Sequence, residues 1–222
     1  MKIYRDIIKR VLDIILSAVV LLLFSLPLIF VALIIKIEDG GPVFYRGVRV
    51  GKDGKPFRVF KFRTMIVDAE RKGGSSTSDN DPRITRIGKK IRKYKLDELP
   101  ELINVLKGDM SIVGPRPEVQ EYAKRFSEEE RTILSARPGI TDWATLWNPD
   151  EGSVLCRFSD PDKAYEALIR PKKLQLQMKY VEEISFCNDI KIILETFWVI
   201  ARRKKSPLEL ELESKGLYEN QQ

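Results

Sequence analysis

The sequence of 222 residues contains no histidine. This absence excludes every mechanism that uses an imidazole as a general base, a nucleophile or a metal ligand. Any acid chemistry must therefore be carried by carboxylates.

Cysteine is almost as scarce. The two cysteines, Cys156 and Cys187, lie far apart and lack the paired spacing of a zinc site or a disulfide framework. They are interpreted as ordinary reduced thiols, which fits the cytosol.

Acidic residues are fewer than basic ones. Lysine and arginine number 39 and aspartate and glutamate 32, so the net charge is +7. This excess suits an anionic partner such as a lipid headgroup, a nucleotide or a nucleic acid, and it does not choose among them. The length favours one compact domain with one site.

The longest uncharged run extends from Ile14 to Ile35. A helix of this length could just cross a hydrocarbon core of about 30 Å. However, Pro27 lies inside the run, two residues after Ser25. An interior proline favours a kink and leaves one backbone carbonyl without its hydrogen bond, which the serine hydroxyl can supply. Asp13 opens the run and is expected at the headgroup level, either hydrated or beside Lys9 or Arg10.

Two topologies are compatible with this run: a simple transmembrane span and a re-entrant hairpin. Basic residues flank both of its ends, and the positive-inside rule assigns both flanks to the cytoplasm. Together with the proline, this pattern favours re-entry over spanning. The flanking residues are Lys2, Arg5, Lys9 and Arg10 before the run and Lys36, Arg46, Arg49 and Lys52 after it.

The region after the apolar run alternates between strand and helix signals. Val43–Tyr45 and Phe57–Phe62 are rich in aromatic and β-branched residues around a glycine-containing turn, which predicts a β-hairpin. Residues 72–81 look like a mobile loop that could close over a substrate. Residues 83–95 form a basic amphipathic helix, and a second helix begins near Asp97 to Pro100 and ends at Gly108.

Farther on, Ser127 and three following glutamates predict a capped helix start. Residues Lys163 to Lys205 read as helices interrupted at Pro171. The end of this stretch, from Ile190 to Lys205, could lie on an anionic membrane surface or pack onto the core. Beyond Pro207 the chain is polar and is predicted to be loosely ordered.

The carboxylates best placed for chemistry are Asp97 and Glu98. They stand at a helix start just after the basic helix, and neighbours on a helix diverge by roughly 100°, so the two can serve different atoms. A helix amino terminus favours a bound phosphate and an ionised carboxylate. An acidic pair at this position is usually only a favourable cap, so the wider pattern must decide.

Candidate phosphate ligands surround this pair in the sequence. Arg92 and Arg116 can offer planar, bidentate donors, and the stretch Gly114 to Pro117 is a stiff turn. Magnesium, a hard cation, would bridge Glu98 and a diphosphate and neutralise charge on a leaving group.

Taken together, these segments resemble the bacterial sugar transferase family, the monotopic polyprenyl-phosphate phosphoglycosyl transferases. The likeness covers most of the chain to about Trp143. The segments that carry it are Lys9-Arg10 with Asp13, Ser25 near the proline, GPVFYRGVRVGKDGKPFRVFKFRTM at 41–65, NDPRITRIG at 80–88 and LDELPELINVLKGDMSIVGPRPE at 96–118.

The resemblance implies a double-displacement reaction in which Asp97 attacks the β-phosphate of a UDP-sugar, expels UMP and carries the sugar phosphate. Undecaprenyl phosphate then takes up that group, while Glu98 holds magnesium. It also implies that Arg92 and Arg116 contact phosphate, that Lys61 and Arg63 line or brace the site, and that Ser25 and Pro27 set the membrane break.

The sequence departs from the family's usual pattern at several places. Leu26 separates the serine from the proline, and Lys95 and Glu101 replace a frequent serine and glutamine. The frequent continuation GITGWAQVNGR stands here as Gly139-Ile140-Thr141-Asp142-Trp143-Ala144-Thr145-Leu146-Trp147, so no sugar-binding residue is carried over and the donor sugar stays open.

The expected fold is α+β and predominantly helical, with a small β-hairpin and amphipathic helices at the membrane surface. Residues 1–38 would form the membrane-embedded re-entrant helix, 39–205 the cytosolic catalytic domain and 206–222 a polar, flexible tail. The resemblance implies the bacterial inner membrane, with the catalytic domain on the cytoplasmic face. It implies contact with membrane lipids and no nucleic-acid partner, and it leaves a homodimer open.

Two other classes of function compete with this interpretation. A membrane-tethered nucleic-acid binder could use the basic helix, with Tyr94, to contact phosphates. A non-catalytic partner of a polysaccharide assembly complex would use the apolar segment only as an anchor. The first alternative leaves the carboxylate pair unexplained, and the second predicts that the purified protein turns over no donor.

Overall fold

A computed structural model describes residues 4–72, 76–202 and 205–217. The described chain is mainly helical with small sheets, which confirms the α+β class in its coarse form. The helices are α1 Lys9–Leu23, α2 Ser25–Asp39, α3 Arg86–Lys93, α4 Glu101–Lys107, α5 Gln120–Ala123, α6 Trp143–Trp147, α7 Glu151–Leu155, α8 Pro161–Ala164, α9 Arg170–Glu182, α10 Phe186–Arg202 and α11 Pro207–Ser214. The strands are β1 Phe44–Tyr45, β2 Val48–Val50, β3 Pro56–Arg58, β4 Lys61–Phe62, β5 Ser111–Val113 and β6 Gly139–Thr141.

Helices α1 and α2 form a bent pair. Their axes meet at 65° around Phe24; within the described residues neither helix alone has the length and apolarity to cross a membrane, whereas the pair together does. The sequence predicted a kink at Pro27, but the break falls three residues earlier. The proline ring would clash with the carbonyl of Leu23, four residues back, so α1 ends there and Pro27 lies in the first turn of α2, where its missing N–H costs little.

The predicted β-hairpin is confirmed. Strand β1 pairs with β4 and β2 with β3, both antiparallel and in one continuous register from Phe44 opposite Phe62 to Val50 opposite Pro56. The ladder is interrupted at Phe60, whose N–H donates instead to Asn104 Oδ1 of α4 at 2.7 Å. This bond ties the hairpin to the helix that follows the carboxylate pair.

The basic helix is present as α3. Thr85 caps its start by accepting from the Gly88 N–H, and Gly88 lies so close to the Thr64 carbonyl that a Cβ there would be 2.1 Å from the oxygen. On its apolar side Ile91 packs in one buried cluster with Ile35 of α2 and Phe62 of β4. The helix is therefore fixed between α2 and the hairpin.

The carboxy-terminal half surrounds a short parallel pair, β5 with β6. Tyr180 of α9 and Ile192 of α10 are buried against Val113 of β5. The predicted helix start at Ser127 is present as a reciprocal capping pair with Glu130, but the turns that follow, Glu130–Ser135, are of the 3-10 type.

The predicted interruption at Pro171 is wrong. Pro171 lies in the first turn of α9, which follows a π-helical turn at Tyr165–Ile169, and a proline is tolerated there because the first-turn N–H groups have no partner within the helix. The interruption lies at residues 183–185, between α9 and α10.

The expectation of a loosely ordered tail is also wrong for residues 207–214. They form α11, which opens with a capping box between Ser206 and Glu209. Leu208 and Leu212, one turn apart, are buried in a cluster with Leu155 of α7. These two leucines supply an apolar stripe that the surrounding glutamates obscure in the sequence. Residues 218–222 of the predicted tail lie outside the described residues.

Candidate active site

Asp97 and Glu98 lie on a short 3-10 turn, Leu96–Glu98, rather than in the first turn of α4. The turn follows Lys95, which adopts a left-handed conformation with φ of 55°. Such a backbone is uncommon for a residue other than glycine, and it makes a sharp corner between α3 and the turn. The corner brings the basic helix and the carboxylates close together.

Glu98 lies at the centre of an ion cluster. Its carboxylate accepts from Lys61 Nζ at 2.9 Å and from both terminal nitrogens of Arg116, one of them at 3.2 Å. Lys61 also contacts Glu101 at 3.2 Å, and Glu101 is almost fully buried. Burial alone would raise the pKa of Glu98, but the charges of Arg116 and Lys61 hold it well below its ordinary value. Glu98 is therefore an anion at neutral pH.

Asp97 has a different environment. It is 8% exposed, and its Oδ1 is buried without a hydrogen-bond partner in the described chain. Burial and the adjacent Glu98 charge raise the pKa of Asp97, and the charges of Lys61, Arg92 and Lys95 offset only part of this effect. The expectation that the helix terminus favours the ionised form is thus opposed by burial. A poorly solvated carboxylate is also a more reactive one.

The raised pKa of Asp97 gives a stability prediction. Between the unfolded and folded pKa values the folded protein binds more protons, so its free energy of unfolding falls as pH rises through that window. At neutral pH Asp97→Asn should therefore stabilise the fold, by about 0.5 to 2 kcal/mol. Thermal unfolding followed at pH 7 and at acid pH measures this gain, which should shrink at acid pH. A variant less stable than the parent at pH 7 would contradict the assigned environment.

The two remaining predicted cations differ. Arg92 of α3 is half-buried, its charge favours the ionised form of Asp97, and its guanidinium has no ion-pair partner in the described residues. Arg63 is engaged elsewhere: its side chain is bidentate to Asp39 at 2.5 Å and donates to the Pro42 carbonyl. Of the two roles that the resemblance implied for Arg63, lining or bracing the site, these contacts fit a bracing role, at the end of α2.

Arg116 is supported by residues that the sequence did not single out for a role. Its backbone N–H donates to Asp142 Oδ2 at 3.2 Å, and Gln177 Nε2 donates to the Arg116 carbonyl at 3.3 Å and to the same Asp142 oxygen at 3.2 Å. Asp142 and Gln177 are fully buried. Gly114 and Gly139 pack backbone to backbone beside this turn.

Glu101, Asp142 and Gln177 lie in no local motif of their own, so only the departures from the family pattern at 101 and 142 hinted at them.

The first two turns of α1 are hydrogen-bonded to α4 and β5. Arg10 donates to the Val105 carbonyl at 2.6 Å and the Leu106 carbonyl at 3.1 Å, in the last turn of α4. Asp13 is buried and accepts from the Ser111 hydroxyl at 2.7 Å and the Ile112 N–H at 3.1 Å. Asp13 was expected to be hydrated or beside Lys9 or Arg10, but its carboxylate is bonded inside the fold, because β5 supplies hydrogen bonds that compensate its burial. Ser25 and Pro27 remain at the bend.

A magnesium ion would have few protein ligands here. The described residues contain no group of three acidic or thiol side chains that could hold a metal. However, magnesium commonly takes only one or two carboxylates and completes its shell with substrate phosphates and water. The adjacent carboxylates, with one buried Asp97 oxygen lacking a partner, fit that pattern. Glu98 would hold the ion only after releasing part of its contact with Arg116 or Lys61.

A carboxylate pair flanked by lysine and arginine side chains, in a fold that also carries an apolar helix pair, is a site suited to binding phosphate groups. The chain belongs to the bacterial sugar transferase family, whose sequence pattern matches residues 4–203.

Named relatives support the assignment. A UDP-N-acetylgalactosamine-undecaprenyl-phosphate N-acetylgalactosaminephosphotransferase of Aeromonas hydrophila is 37% identical over 87% of this chain and 43% of its own length. A UDP-glucose:undecaprenyl-phosphate glucose-1-phosphate transferase of Escherichia coli is 38% identical over 86% of this chain and 39% of its own. The uncharacterized sugar transferase EpsL of Bacillus subtilis is 36% identical over 86% of this chain and 85% of its own length. The chain thus spans less than half of the first two relatives.

Proposed function

We propose that this protein transfers a sugar 1-phosphate from a UDP-sugar to undecaprenyl phosphate, giving undecaprenyl diphospho-sugar and UMP, through a covalent intermediate on Asp97. The observation that carries the proposal is the buried Asp97 oxygen without a partner, beside a glutamate held by Lys61 and Arg116. The reactions named for the relatives are of the same kind. The product would begin the membrane stage of glycan synthesis.

The reaction would proceed in two displacements at one phosphorus atom. The Asp97 carboxylate attacks the β-phosphorus, a new P–O bond forms, and the bond to the bridging oxygen breaks so that UMP leaves with the electron pair. An oxygen of undecaprenyl phosphate then attacks the same phosphorus and releases the carboxylate. An ionised carboxylate and a phosphate monoester are both anionic nucleophiles, so neither displacement needs a histidine base.

The cations around Asp97 would bind and orient the donor. Arg92, which has no ion-pair partner in the described region, is available for a phosphate oxygen, and Arg116 can swing one edge of its guanidinium from Glu98 to the diphosphate. Lys61 stays between Glu98 and Glu101 and keeps Glu98 oriented. Magnesium bound at Glu98 would neutralise negative charge on the leaving UMP.

The membrane topology belongs to the same proposal. We infer that α1 and α2 enter and leave the cytoplasmic leaflet as a re-entrant hairpin, which the 65° bend and exposed apolar residues on both helices favour. The apolar side of α10 would lie on the membrane surface, because Leu194, Phe197 and Trp198 are exposed while Ile192 faces the core. In this proposed arrangement the site would lie within reach of a lipid-borne phosphate on the cytoplasmic face of the inner membrane.

The re-entrant topology predicts that both ends of the apolar run are accessible from the cytoplasm. In a protein whose two native cysteines are replaced by serine, Ile7→Cys and Glu38→Cys should both react with a membrane-impermeant maleimide in inside-out vesicles and be protected in right-side-out vesicles. Leu26→Cys, at the bend, is the matched control and should react in neither. Labelling of Ile7→Cys and Glu38→Cys from opposite sides would establish a spanning helix instead.

The proposed reaction is tested with purified full-length protein in nanodiscs. A panel of UDP-sugars with undecaprenyl phosphate and magnesium is assayed for UMP and for the lipid-linked product. At least one donor should give both in equal amounts. Release of UMP from none of them, with salt-dependent oligonucleotide binding that survives Asp97→Asn, would replace the proposal with a nucleic-acid-binding function.

A further inference from the structure

Asn148 ends α6 and has a buried side chain that the reaction described above does not use. The residue is 5% exposed, and neither its Oδ1 nor its Nδ2 has a hydrogen-bond partner in the described part of the protein. Each unpaired buried polar group costs about 1–3 kcal/mol, so native proteins rarely keep two on one side chain unless water or a ligand completes them. The amide of Asn148 therefore needs a hydrogen-bond partner that the described chain does not supply.

The position of Asn148 relates it to the proposed phosphate site. Asp142 caps the other end of α6 and accepts the Arg116 backbone N–H. Asn148 stands six positions after Asp142, which corresponds to about 9 Å along a helix. Besides Glu98, the Glu151 carboxylate three positions after Asn148 helps to raise the pKa of Arg116, so this segment lies near that guanidinium. Just beyond, Asp150 lies 3.6 Å from Lys95, two residues before Asp97.

The neighbouring side chains have the chemistry of a sugar site. Glu151 is 3.5 Å from Lys173 Nζ, and the same ammonium group holds Glu118 at 2.8 Å, so Glu151 is fixed to the segment that follows Arg116. A sugar hydroxyl both donates and accepts, a carboxylate accepts, and a carboxamide offers two donors and one acceptor. The Lys95–Asp150 ion pair is partly exposed at both ends and therefore weak, so this segment can shift as a ligand enters.

We propose that Asn148, together with Glu151, binds a hydroxyl group of the donor's sugar ring and thereby selects the sugar. This inference rests on the proposed function. A sugar that presents a hydroxyl to the amide completes its hydrogen bonds, whereas an epimer that turns the hydroxyl away leaves the buried amide unpaired. Sites of this kind discriminate more strongly than apolar pockets do. Asn148 is thus a specificity residue, distinct from the residues that handle phosphate.

The test compares donor and product binding in the full-length protein in nanodiscs. The donor is the UDP-sugar from which the parent releases UMP fastest, and its epimers are assayed beside it. UMP, which carries the uridine and one phosphate but no sugar, serves as inhibitor. The variants are Asn148→Ala, Asn148→Asp and Glu151→Gln; the control is Gln175→Ala, which removes an exposed amide from α9.

Asn148→Ala should lower kcat/KM for the preferred donor at least about tenfold and reduce the ratio of kcat/KM between this donor and its epimers. The inhibition constant of UMP should stay within about twofold of the parental value. Glu151→Gln should have a smaller effect of the same kind, and Gln175→Ala none. Because Glu151 is partly exposed, its variant keeps the test available if Asn148→Ala does not fold.

Two results would overturn the inference. One is unchanged donor kinetics and epimer preference in all three variants. The other is an equal loss of affinity for donor and UMP, which indicates general damage to the site. Failure of the proposed function is a different observation, namely a parent protein that releases UMP from no UDP-sugar, and it would remove both proposals.

Discussion

Asp97→Asn should reduce UMP release by at least about 10³-fold, the largest effect expected of any single substitution in this protein. The amide keeps the size of the side chain but has no anionic oxygen to attack phosphorus, so the first displacement is lost. Because the carboxylate is buried beside Glu98, the substitution should not unfold the protein. Loss of activity with retained or increased thermal stability separates a nucleophile from a structural residue.

The same variant distinguishes the two-step route from a direct transfer. With a covalent intermediate, the parent should exchange radiolabelled UMP into UDP-sugar without undecaprenyl phosphate, and Asp97→Asn should abolish this exchange. Asp53→Asn is the matched control, since Asp53 is an exposed aspartate in the turn of the hairpin. Persistence of the exchange in Asp97→Asn at the parental rate would exclude Asp97 as the nucleophile.

Glu98→Gln is expected to have the second largest effect, a fall in kcat of about 10²-fold. The neutral amide of Gln cannot balance the positive charges of Lys61 and Arg116, which contact the Glu98 carboxylate in the native protein. Removing one member of a clustered ion group leaves the others undercompensated, so stability should also fall, by about 1–3 kcal/mol. Turnover measured against magnesium concentration, together with thermal unfolding, checks both effects.

The control for this variant is Glu211→Gln on α11, which removes a glutamate from the exposed ion pair with Lys215. It should leave turnover and magnesium dependence unchanged, because exposed pairs contribute little. If Glu98→Gln kept full activity with an unaltered response to magnesium, Glu98 would be neither the metal ligand nor the organiser of the cations.

Local patterns allowed much of the fold to be predicted. The hairpin followed from β-branched and aromatic strands around a glycine turn, and its register is continuous across the interruption at Phe60. The amphipathic repeat of α3 was visible because Ile87 and Ile91 stand among basic residues. Such features depend on neighbours in sequence, which the amino-acid order displays directly.

The features that the sequence did not reveal depend on contacts between distant residues. Asp13 is buried because β5, about 100 positions later, offers two donors, and Arg63 is occupied because the end of α2 presents Asp39. Neither partner can be inferred from spacing. The helix α11 was missed for a different reason, since the glutamates between Leu208 and Leu212 conceal a stripe of only two buried residues. Its capping box between Ser206 and Glu209 was a local signal that could have revealed it.

The candidate site was partly predictable for the same reasons. The structure brings Lys61, Glu98 and Arg116, all three singled out in the sequence, into contact. Glu101, the second anchor of Lys61, stood in the sequence only as a departure from the family pattern. The supports of Arg116, Asp142 and Gln177, are 26 and 61 residues away from it. Burial affects both Asp97 and Glu98, and the contacts with Lys61 and Arg116 that distinguish Glu98 are set by the whole fold.

The most direct test of the account is mass spectrometry of the protein after reaction with its preferred UDP-sugar in the absence of undecaprenyl phosphate. Trypsin would release residues 96–107, which contain Asp97, Glu98 and Glu101. Fragmentation of this peptide should place one added sugar phosphate on Asp97, and the adduct should disappear when undecaprenyl phosphate is supplied. An unmodified peptide from a protein that still turns over donor, or an adduct on Glu98 instead, would contradict the central role of Asp97.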